Sequence, residues 1–145
     1  MPDYENLLLE NQLCFALYAA TNAIIKTYRP KLKDIGLTYS QYLVMVVLWE
    51  TEGITIKELS NSLKLDTGTI TPLLKRLEKS DMLKRCRNKD DERVVNLFLT
   101  KKGRSLQKKA ADIQNQVACK TSLSDELFSK LINDLHSLES QLNKG

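Results

Sequence analysis

The sequence predicts a mainly α-helical fold that contains a winged helix-turn-helix, with a small β-hairpin as its wing and helical termini on both sides. Apolar residues recur at helical spacing along most of the chain, and residues 95–99 alternate as a half-buried strand does, with Val95, Leu97 and Leu99 on one face and Asn96 and Phe98 on the other. The polar, charged residues 88–93 precede that strand and suit a hairpin turn. A helix followed by a charged hairpin is the outline of a winged helix-turn-helix.

The length and composition are those of one helical unit. The chain has 145 residues, of which 42% are hydrophobic and 28% charged, as is ordinary for a soluble helical protein. The apolar run at residues 42–49 is too short to span a membrane. Acidic residues stand near the N-terminus, where a secretory signal would carry basic ones. We therefore expect a cytoplasmic protein that does not associate with membranes.

Positive charge is concentrated in one part of the sequence. Residues 64–109 contain 14 Lys or Arg against 6 Asp or Glu, a net charge of +8, whereas residues 1–63 and 110–145 each have a net charge of −2. A lysine-rich stretch alone would be an ordinary solvated face. Because this one coincides with the winged-helix pattern, it favours contact with DNA phosphates.

The first helix is predicted over residues 5–28. Its apolar stripe includes Leu7, Cys14 and Tyr28, and Pro30 is expected to end the helix because the residue before a proline disfavours the α conformation. A second helix follows, opened by Thr38 and Gln41 at capping-box spacing. Since it is apolar nearly all round, it is predicted to be the central buried helix.

The helix-turn-helix is formed by the next two helices. Thr55 is expected to cap the first of them, residues 56–63. The second begins either at Asp66 or near Thr71, because Pro72 is unfavourable inside a helix. Both starts place three threonines near the end that such helices present to base edges and phosphates, namely Thr67, Thr69 and Thr71.

The C-terminal part is predicted to be helical. Strands at residues 83–87 and 95–99 complete the wing, Thr100 caps a helix to about Cys119, and the last helix begins at Ser124 or Asp125. The last helix carries a long apolar stripe that includes Leu127, Leu131, Leu135, Leu138 and Leu142.

Apolar stripes on the first and last helices are most simply buried together, across the two-fold axis of a homodimer. Residues 1–36 and 101–145 are therefore interpreted as a helical dimerisation region, and residues 37–100 as the DNA-binding region, of one chain of 145 residues. Two wings could then engage two half-sites about one helical turn apart.

The cysteines argue against a structural metal or a disulfide scaffold. Cys14, Cys86 and Cys119 are widely spaced, and His136 is the one histidine. A zinc site would lack ligands, so neither a metal nor any other cofactor is expected. The apolar content also differs from that of small secreted disulfide proteins. The three cysteines are therefore interpreted either as inert thiols or as reactive thiols in a reducing compartment.

Two motifs are characteristic of a known family. They are Asn-Gln-Leu-Cys-Phe at residues 11–15 and Thr-Pro-Leu-Leu-Lys-Arg at residues 71–76; the hairpin residues Asp91 and Arg93 are shared more widely. On these residues the chain resembles the MarR family of winged-helix repressors over nearly its whole length. Within that family it is similar to the organic-hydroperoxide-resistance repressors, the OhrR type.

The resemblance implies a DNA-binding surface. Arg93, oriented by Asp91, would enter the minor groove of a double-stranded operator, expected to be pseudo-palindromic. The alternative for this pair is a local salt bridge without a role at DNA. Lys75 would contact phosphate or simply be exposed. Contacts in the major groove would come from the preceding helix, through Thr67, Thr69, Thr71 and Arg76.

The resemblance also implies that Cys14 senses organic hydroperoxides. Tyr28 and Tyr39 would hydrogen-bond its sulfur, with Tyr39 coming from the other subunit, and Tyr18 would be a further participant. A thiolate stabilised by hydrogen-bond donors has a lowered pKa and reacts with peroxides. From the residues alone, Cys14 could equally be a small buried core residue.

Cys119 resembles the resolving cysteine of the two-cysteine members of the family. The resemblance implies a disulfide between Cys14 and Cys119 across the dimer, formed after Cys14 becomes a sulfenic acid. The alternative is an unpaired surface thiol, and Cys86 is interpreted as incidental. Drawing Cys14 towards Cys119 would shift the dimerisation helices, rotate the wings and release the operator.

Two other functions compete with this one. A repressor of the same family could be released by a bound apolar or phenolic ligand, with Cys14 merely lining the pocket. A thiol peroxidase would need an activating partner such as Arg beside its cysteine and a thioredoxin-like strand pattern, and the sequence shows neither. We therefore expect a repressor and not an enzyme.

Overall fold

The computed structural model describes residues 3–144, and within them seven α-helices and one two-stranded antiparallel sheet follow two single 3-10 turns. The elements are the turns Glu5–Leu7 and Leu9–Asn11, α1 (Leu13–Lys33), α2 (Tyr39–Glu50), α3 (Ile56–Leu63), α4 (Thr67–Lys79), β1 (Leu83–Arg87), β2 (Val95–Leu99), α5 (Lys101–Ser105), α6 (Gln107–Lys120) and α7 (Asp125–Leu142). The mainly helical winged helix-turn-helix predicted from the sequence is confirmed.

Helix α2 lies at the centre of the core, as its apolar sequence predicts. Both bonds of the capping box are present: the Gln41 backbone N–H donates to Thr38 Oγ1 at 3.2 Å, and the Thr38 N–H donates to Gln41 Oε1 at 3.0 Å. Val44, Met45 and Leu48 are almost completely buried. Helices α1, α3 and α4 and strand β2 all pack against α2, so α2 sets their relative positions.

The recognition helix α4 takes the earlier of its two predicted starts. Asp66 caps it, because its Oδ1 accepts from the Thr69 N–H at 2.7 Å, and Lys64 ends α3 with a left-handed backbone (φ +56°). Pro72 therefore lies inside the helix. Since proline has no backbone N–H, the carbonyl of Gly68 has no helical hydrogen-bond donor. Both residues are exposed, so water can replace the missing hydrogen bond.

The first helix differs from the prediction at both ends. It begins at Leu13 rather than near residue 5, and it continues through Pro30 to Lys33. Before α1, the side-chain amides of Asn11 and Gln12 donate hydrogen bonds to backbone carbonyls within residues 5–8, and these bonds stabilise the two separate 3-10 turns. Beyond Pro30, complete burial of Leu32 outweighs the single lost hydrogen bond.

The helix predicted from residue 101 to about residue 119 is divided at Leu106 into α5 and α6. Thr100 caps it as predicted. The division arises at Gly103, whose carbonyl accepts from Trp49 Nε1 at 2.9 Å. A Cβ atom on Gly103 would lie 2.1 Å from the carbonyl oxygen of Met82, so only glycine permits this approach.

The wing agrees with the prediction residue by residue. Strands β1 and β2 pair antiparallel, with Leu83 opposite Leu99. Leu97 and Leu99 face the core, whereas Phe98 is exposed on the other face. The alternation in the sequence therefore identified both the strand and the side of it that is buried.

The terminal helices keep much of their apolar surface uncovered. Helix α7 is capped by Ser124, as predicted, but none of its residues is buried. The predicted division into residues 1–36, 37–100 and 101–145 remains a prediction, and residues 1, 2 and 145 lie outside the described part. Within residues 3–144, no helix is both long and apolar enough to cross a membrane.

Candidate nucleic-acid interface and thiol site

Helix α4 separates its residues into an inner and an outer face. Ile70, Leu74 and Leu77 are buried against the core. Four of the residues predicted to contact DNA lie on the exposed surface, namely Thr67, Thr69, Lys75 and Arg76. Two of them are cationic, so the outer face of the helix is suited to the phosphate backbone.

The predicted threonines differ in what their hydroxyls already do. Hydrogen bonds from the Thr69 side chain and backbone lower the pKa of Asp66, which keeps this capping carboxylate ionised. Thr71 is half-buried and donates to the Thr67 carbonyl at 2.7 Å. Thr69 and Thr71 therefore also stabilise the start of the helix that presents them.

The turn of the wing presents the guanidinium of Arg93. The Arg93 side chain is 91% exposed, and it donates to the Asp91 carboxylate from Nε at 3.1 Å and from a terminal nitrogen at 3.3 Å. Hydrogen bonds from the side chain and the backbone N–H of Arg93 keep the pKa of Asp91 below its usual range. Asn88 Oδ1 in turn accepts from the backbone N–H of Asp90 and of Asp91. The turn thus holds Arg93 outward.

A second ion pair, which the sequence did not indicate, fixes the wing relative to α4. Arg85 of β1 donates from Nε and a terminal nitrogen to Glu78 Oε1, at 3.2 and 3.0 Å. Arg85 lowers the pKa of Glu78 accordingly. The two residues are seven positions apart across a turn, a separation that carries no recognisable spacing, so only the folded chain shows their contact.

Cys14 lies in the first turn of α1 and is exposed. The alternative of an ordinary buried core residue therefore fails within the single chain, because no helix of the same chain covers this part of the stripe. An open groove of about 640 Å³ adjoins it, lined by Leu8, Leu9, Glu10, Gln12, Phe15 and Ala16. Tyr18 is 63% exposed and packs on Phe15, with 6.3 Å between ring centroids.

The other predicted sensing residues meet at the opposite end of α1. Tyr28 of α1 packs against Tyr39 and Tyr42 of α2 with 5.3 Å between ring centroids in each pair, and Tyr39 is 5.9 Å from Tyr42. These three residues are called the tyrosine cluster below. Burial, more than any other factor, raises the pKa of Tyr28 and of Tyr39. Both phenols are therefore protonated donors near neutral pH.

Cys14 cannot reach the tyrosine cluster of its own chain. Fourteen positions of α1 separate Cys14 from Tyr28, which corresponds to about 21 Å along a helix. The prediction took only Tyr39 from the other subunit. Because Tyr28 and Tyr39 are packed together, the predicted contacts of both with the sulfur of Cys14 would come from the same, other subunit.

The same reasoning applies to Cys119. The end of α6 lies against the middle of α1, where Val117 and Lys120 share a groove with Ala23 and Ile24. Ala20, the residue of this groove nearest to Cys14 in the sequence, is six positions or about 9 Å from it along the helix, whereas disulfide-bonded cysteines have Cα atoms within about 7 Å. The single chain therefore does not bring this groove to Cys14, and the disulfide between Cys14 and Cys119 across the dimer stays a prediction.

The remaining thiol and the acidic groups suggest no further chemistry. Cys86 is exposed on the outer face of β1, opposite Asn96. All three cysteines are free. Among the described residues, no group of three or more His, Cys, Asp or Glu side chains could hold a metal ion.

Comparisons with known proteins agree on one family. The model of the transcriptional regulator SarA/Rot family matches residues 26–113. The chain is 40% identical over 141 residues to the organic hydroperoxide resistance transcriptional regulator of Bacillus subtilis, which covers 97% of this chain and 96% of that relative.

Two solved structures of AbfR, a protein of Staphylococcus epidermidis, are also similar. Reduced AbfR bound to DNA superposes with a TM-score of 0.82 at 34% identity, over 99% of this chain and 98% of that one. The disulfide form of AbfR gives a TM-score of 0.66 at 34% identity, over 94% and 90% of the two chains.

Proposed function

This chain belongs to the SarA/Rot family of MarR-type winged-helix transcriptional regulators, and we propose that it is a thiol-based repressor whose DNA binding ends when an organic hydroperoxide oxidises Cys14. The family resemblance read from the sequence is thereby confirmed. The individual DNA-contacting and sensing residues remain part of the proposal.

The relation to the two AbfR structures carries this proposal. The chain superposes better on the reduced, DNA-bound form than on the disulfide form, with TM-scores of 0.82 and 0.66. The conformation described, in which all three cysteines are free, is thus more similar to reduced, DNA-bound AbfR than to the disulfide form. This similarity supports the proposal that the reduced chain binds DNA and that disulfide formation changes its shape.

The proposed DNA-binding unit is a homodimer that places two copies of α4 and of the wing on a pseudo-palindromic operator. Helix α4 would enter the major groove with Thr67, Thr69, Thr71 and Arg76, while Lys75 binds phosphate. Arg93, held by Asp91, would enter the minor groove, where the negative potential attracts a guanidinium. A fixed separation of the two wings sets the register on the operator.

The sensing chemistry needs two thiols and one oxidant. The Cys14 thiolate attacks the terminal oxygen of the hydroperoxide; the S–O bond forms, the O–O bond breaks, and the alcohol leaves after taking a proton. The Cys119 thiolate of the partner subunit then attacks the sulfenic sulfur. An S–S bond forms and the S–O bond breaks, releasing water once a proton is supplied. Two cellular thiols can then reduce the disulfide by thiol–disulfide exchange, which regenerates the Cys14 and Cys119 thiols and leaves the reductant as its own disulfide.

Two hydrogen bonds that anchor α5, the helix before α6, indicate how a disulfide at Cys119 would change the position of the DNA-binding elements. Trp49 Nε1 donates to the Gly103 carbonyl, and Lys102 Nζ donates to the Ser80 carbonyl at the end of α4, at 3.0 Å. Displacing α6 towards the partner's Cys14 would therefore pull on the end of the recognition helix. Losing several phosphate contacts lowers affinity by orders of magnitude.

The proposal is tested by titrating a promoter fragment with reduced and with cumene hydroperoxide-treated protein. We expect wild type and the matched exposed-thiol control Cys86→Ser to release DNA after oxidation, and Cys14→Ser to remain bound. Cys119→Ser is expected to lose the covalent dimer on a non-reducing gel. Release of Cys14→Ser by the hydroperoxide would overturn the redox mechanism.

A second candidate is release by a small apolar ligand, and one feature favours it. An open groove of about 340 Å³ lies between α2 and α6, lined by Tyr42, Val46, Trp49, Glu50, Gln107, Ala110, Ala111 and Gln114. A phenolic compound that released DNA equally from wild type and from Cys14→Ser, without oxidant, would support this function instead.

A further inference from the structure

The tyrosine cluster contains one residue to which the proposed function gives no role. Tyr42 is 7% exposed, and its ring packs against those of both proposed sulfur donors, with centroids 5.3 Å from Tyr28 and 5.9 Å from Tyr39. Tyr39 and Tyr42 are three positions apart in the first turn of α2 and so share a face. Tyr28 reaches the same face from α1.

The local structure holds Tyr42 firmly. Its backbone N–H donates to the Thr38 carbonyl at 2.9 Å, inside the turn that the Thr38–Gln41 capping box closes. The residue belongs to the hydrophobic core, beside the fully buried Leu32 and Met45. Tyr28 and Tyr39 are thus in contact with a side chain that has little freedom of its own.

We propose that Tyr42 is a positioning residue for the thiol sensor: its phenol fixes the hydroxyls of Tyr28 and Tyr39 so that both donate to the sulfur of the partner subunit's Cys14. This inference rests on the proposed function, because it requires Cys14 to react in the dimer. Tyr42 itself does not touch the sulfur; it acts through its two neighbours.

The electrostatics of the cluster agree with this role. Burial raises the pKa of Tyr28, and the charge and the hydroxyl of Tyr42 raise it further. A phenol that stays protonated is a hydrogen-bond donor, and donors to a thiolate favour the charged form of the sulfur. Tyr28 and Tyr39, whose pKa values are raised, are therefore available as donors to the sulfur.

The amino-acid pattern alone indicates a positioning role for Tyr42 only weakly. Its spacing from Tyr39 is that of one helical turn, but an aromatic residue in an apolar helix is ordinarily a core residue. A purely structural role requires the ring, whereas the positioning role requires the hydroxyl. Replacing Tyr42 by phenylalanine separates these two functions.

The test compares wild type, Tyr42→Phe, Tyr28→Phe and the double variant, with Tyr4→Phe as the matched control because Tyr4 is 69% exposed and outside the cluster. The rate of Cys14 oxidation by cumene hydroperoxide and its pH profile are measured in the reduced dimer. We expect Tyr42→Phe to slow oxidation roughly five- to tenfold, as expected for a lost hydrogen bond, and to move the thiol pKa upward. Thermal unfolding and the DNA affinity of the reduced protein should not change.

The double variant decides whether Tyr42 acts through Tyr28. If it does, removing both hydroxyls slows oxidation less than the product of the two single effects. A Tyr42→Phe protein that reacts at the wild-type rate and with the wild-type pH profile overturns the inference, as do fully multiplicative effects. A wild-type protein that is not oxidised at Cys14 overturns the proposed function itself, and the inference with it.

Discussion

Helices α2 and α7 are both rich in apolar residues, yet they differ in where those residues find their contacts. In α2, Val44, Met45 and Leu48 are at most 1% exposed, packed against elements of the same chain. In α7 no residue is buried, and Leu127 and Leu131 are 55% and 47% exposed. The winged helix-turn-helix is therefore packed within one chain, whereas α7 leaves an apolar face uncovered, which the proposed dimer would bury.

The two candidate sites follow the same division. On the DNA-reading side, Asp91 and Arg93 are already paired and aimed. On the sensing side, Cys14 is about 21 Å along α1 from Tyr28, so thiol and donors can meet only when two chains associate. In the proposed homodimer, the association that brings the thiol and its donors together would also set the spacing of the wings. The predictions below test this contrast.

The largest effect is expected from destroying the apolar face of α7. The double variant Leu127→Glu/Leu131→Glu places two charges on that face, which should prevent the subunits from associating. We expect a monomer by light scattering with nearly unchanged helix content, and an operator affinity lowered roughly 100- to 1,000-fold because two linked sites become one.

The matched control adds the same charge elsewhere on α7. Asn133 and Ser137 are exposed, and they project from a different side of the helix than Leu131. Asn133→Glu/Ser137→Glu should remain a dimer with an affinity within a few-fold of wild type. If the leucine variant also stayed dimeric at micromolar concentration, α7 would not be the interface.

The second largest effect is a loss of stability, expected where α5 packs closely against the backbone before the wing. Gly103→Ala would bring a Cβ atom to 2.1 Å from the Met82 carbonyl oxygen, so the backbone has to shift. We expect the free energy of unfolding to fall by about 3 kcal/mol or more, measured by urea unfolding. Gly68→Ala is the control, because its nearest contact, Asp66 Oδ1, is at 3.4 Å. Equal stabilities of the two variants would contradict the close approach.

Local chemistry explains what the sequence predicted well. Caps at Thr38, Thr55, Thr100 and Ser124 involve residues three positions apart, and the strand alternation of the wing has a period of two; both patterns lie within a few residues. The family motifs add the residues of α4 and the wing that are predicted to contact DNA, and these contacts stay predictions. These are the parts of the fold whose causes are adjacent in the chain.

Long-range contacts explain what the sequence did not predict. Burial of Leu32 carries α1 through Pro30, and the approach of Gly103 to Met82 divides the helix predicted after Thr100. The Glu78–Arg85 pair and the place of Tyr42 likewise depend on elements that meet only after folding. Exposure of Cys14 has the same origin, since its covering surface is not in its own chain.

A smaller effect is expected at the wing tip. Arg93→Ala should weaken operator binding roughly tenfold and reduce the preference for A·T base pairs in the minor groove. Lys89→Ala, another exposed cation of the wing turn, should weaken binding equally for all sequences. Binding to operators with A·T and G·C substitutions measures both. An unchanged sequence preference in Arg93→Ala would favour a local salt bridge without a role at DNA.

The smallest effect is a loss of stability at alkaline pH that originates in the tyrosine cluster. The folded-state pKa of Tyr28 is raised, chiefly by burial, whereas in the unfolded chain this phenol titrates near pH 10. Above that pH the unfolded state loses a proton that the folded state keeps, so unfolding becomes more favourable as the pH rises. Below pH 10 both states are protonated and Tyr28 contributes no pH dependence.

The expected slope follows from linkage: each such group costs up to about 1.4 kcal/mol per pH unit above its unfolded pKa. Urea unfolding at pH values of about 9, 10 and 11 should therefore show wild type losing stability faster than Tyr28→Phe, and Tyr4→Phe behaving as wild type. Every other ionisable group is common to wild type and Tyr28→Phe, so its contribution cancels in this comparison. Parallel curves for wild type and Tyr28→Phe would mean that the phenol is solvated, and the single chain would then lack a preformed donor cluster for the thiol.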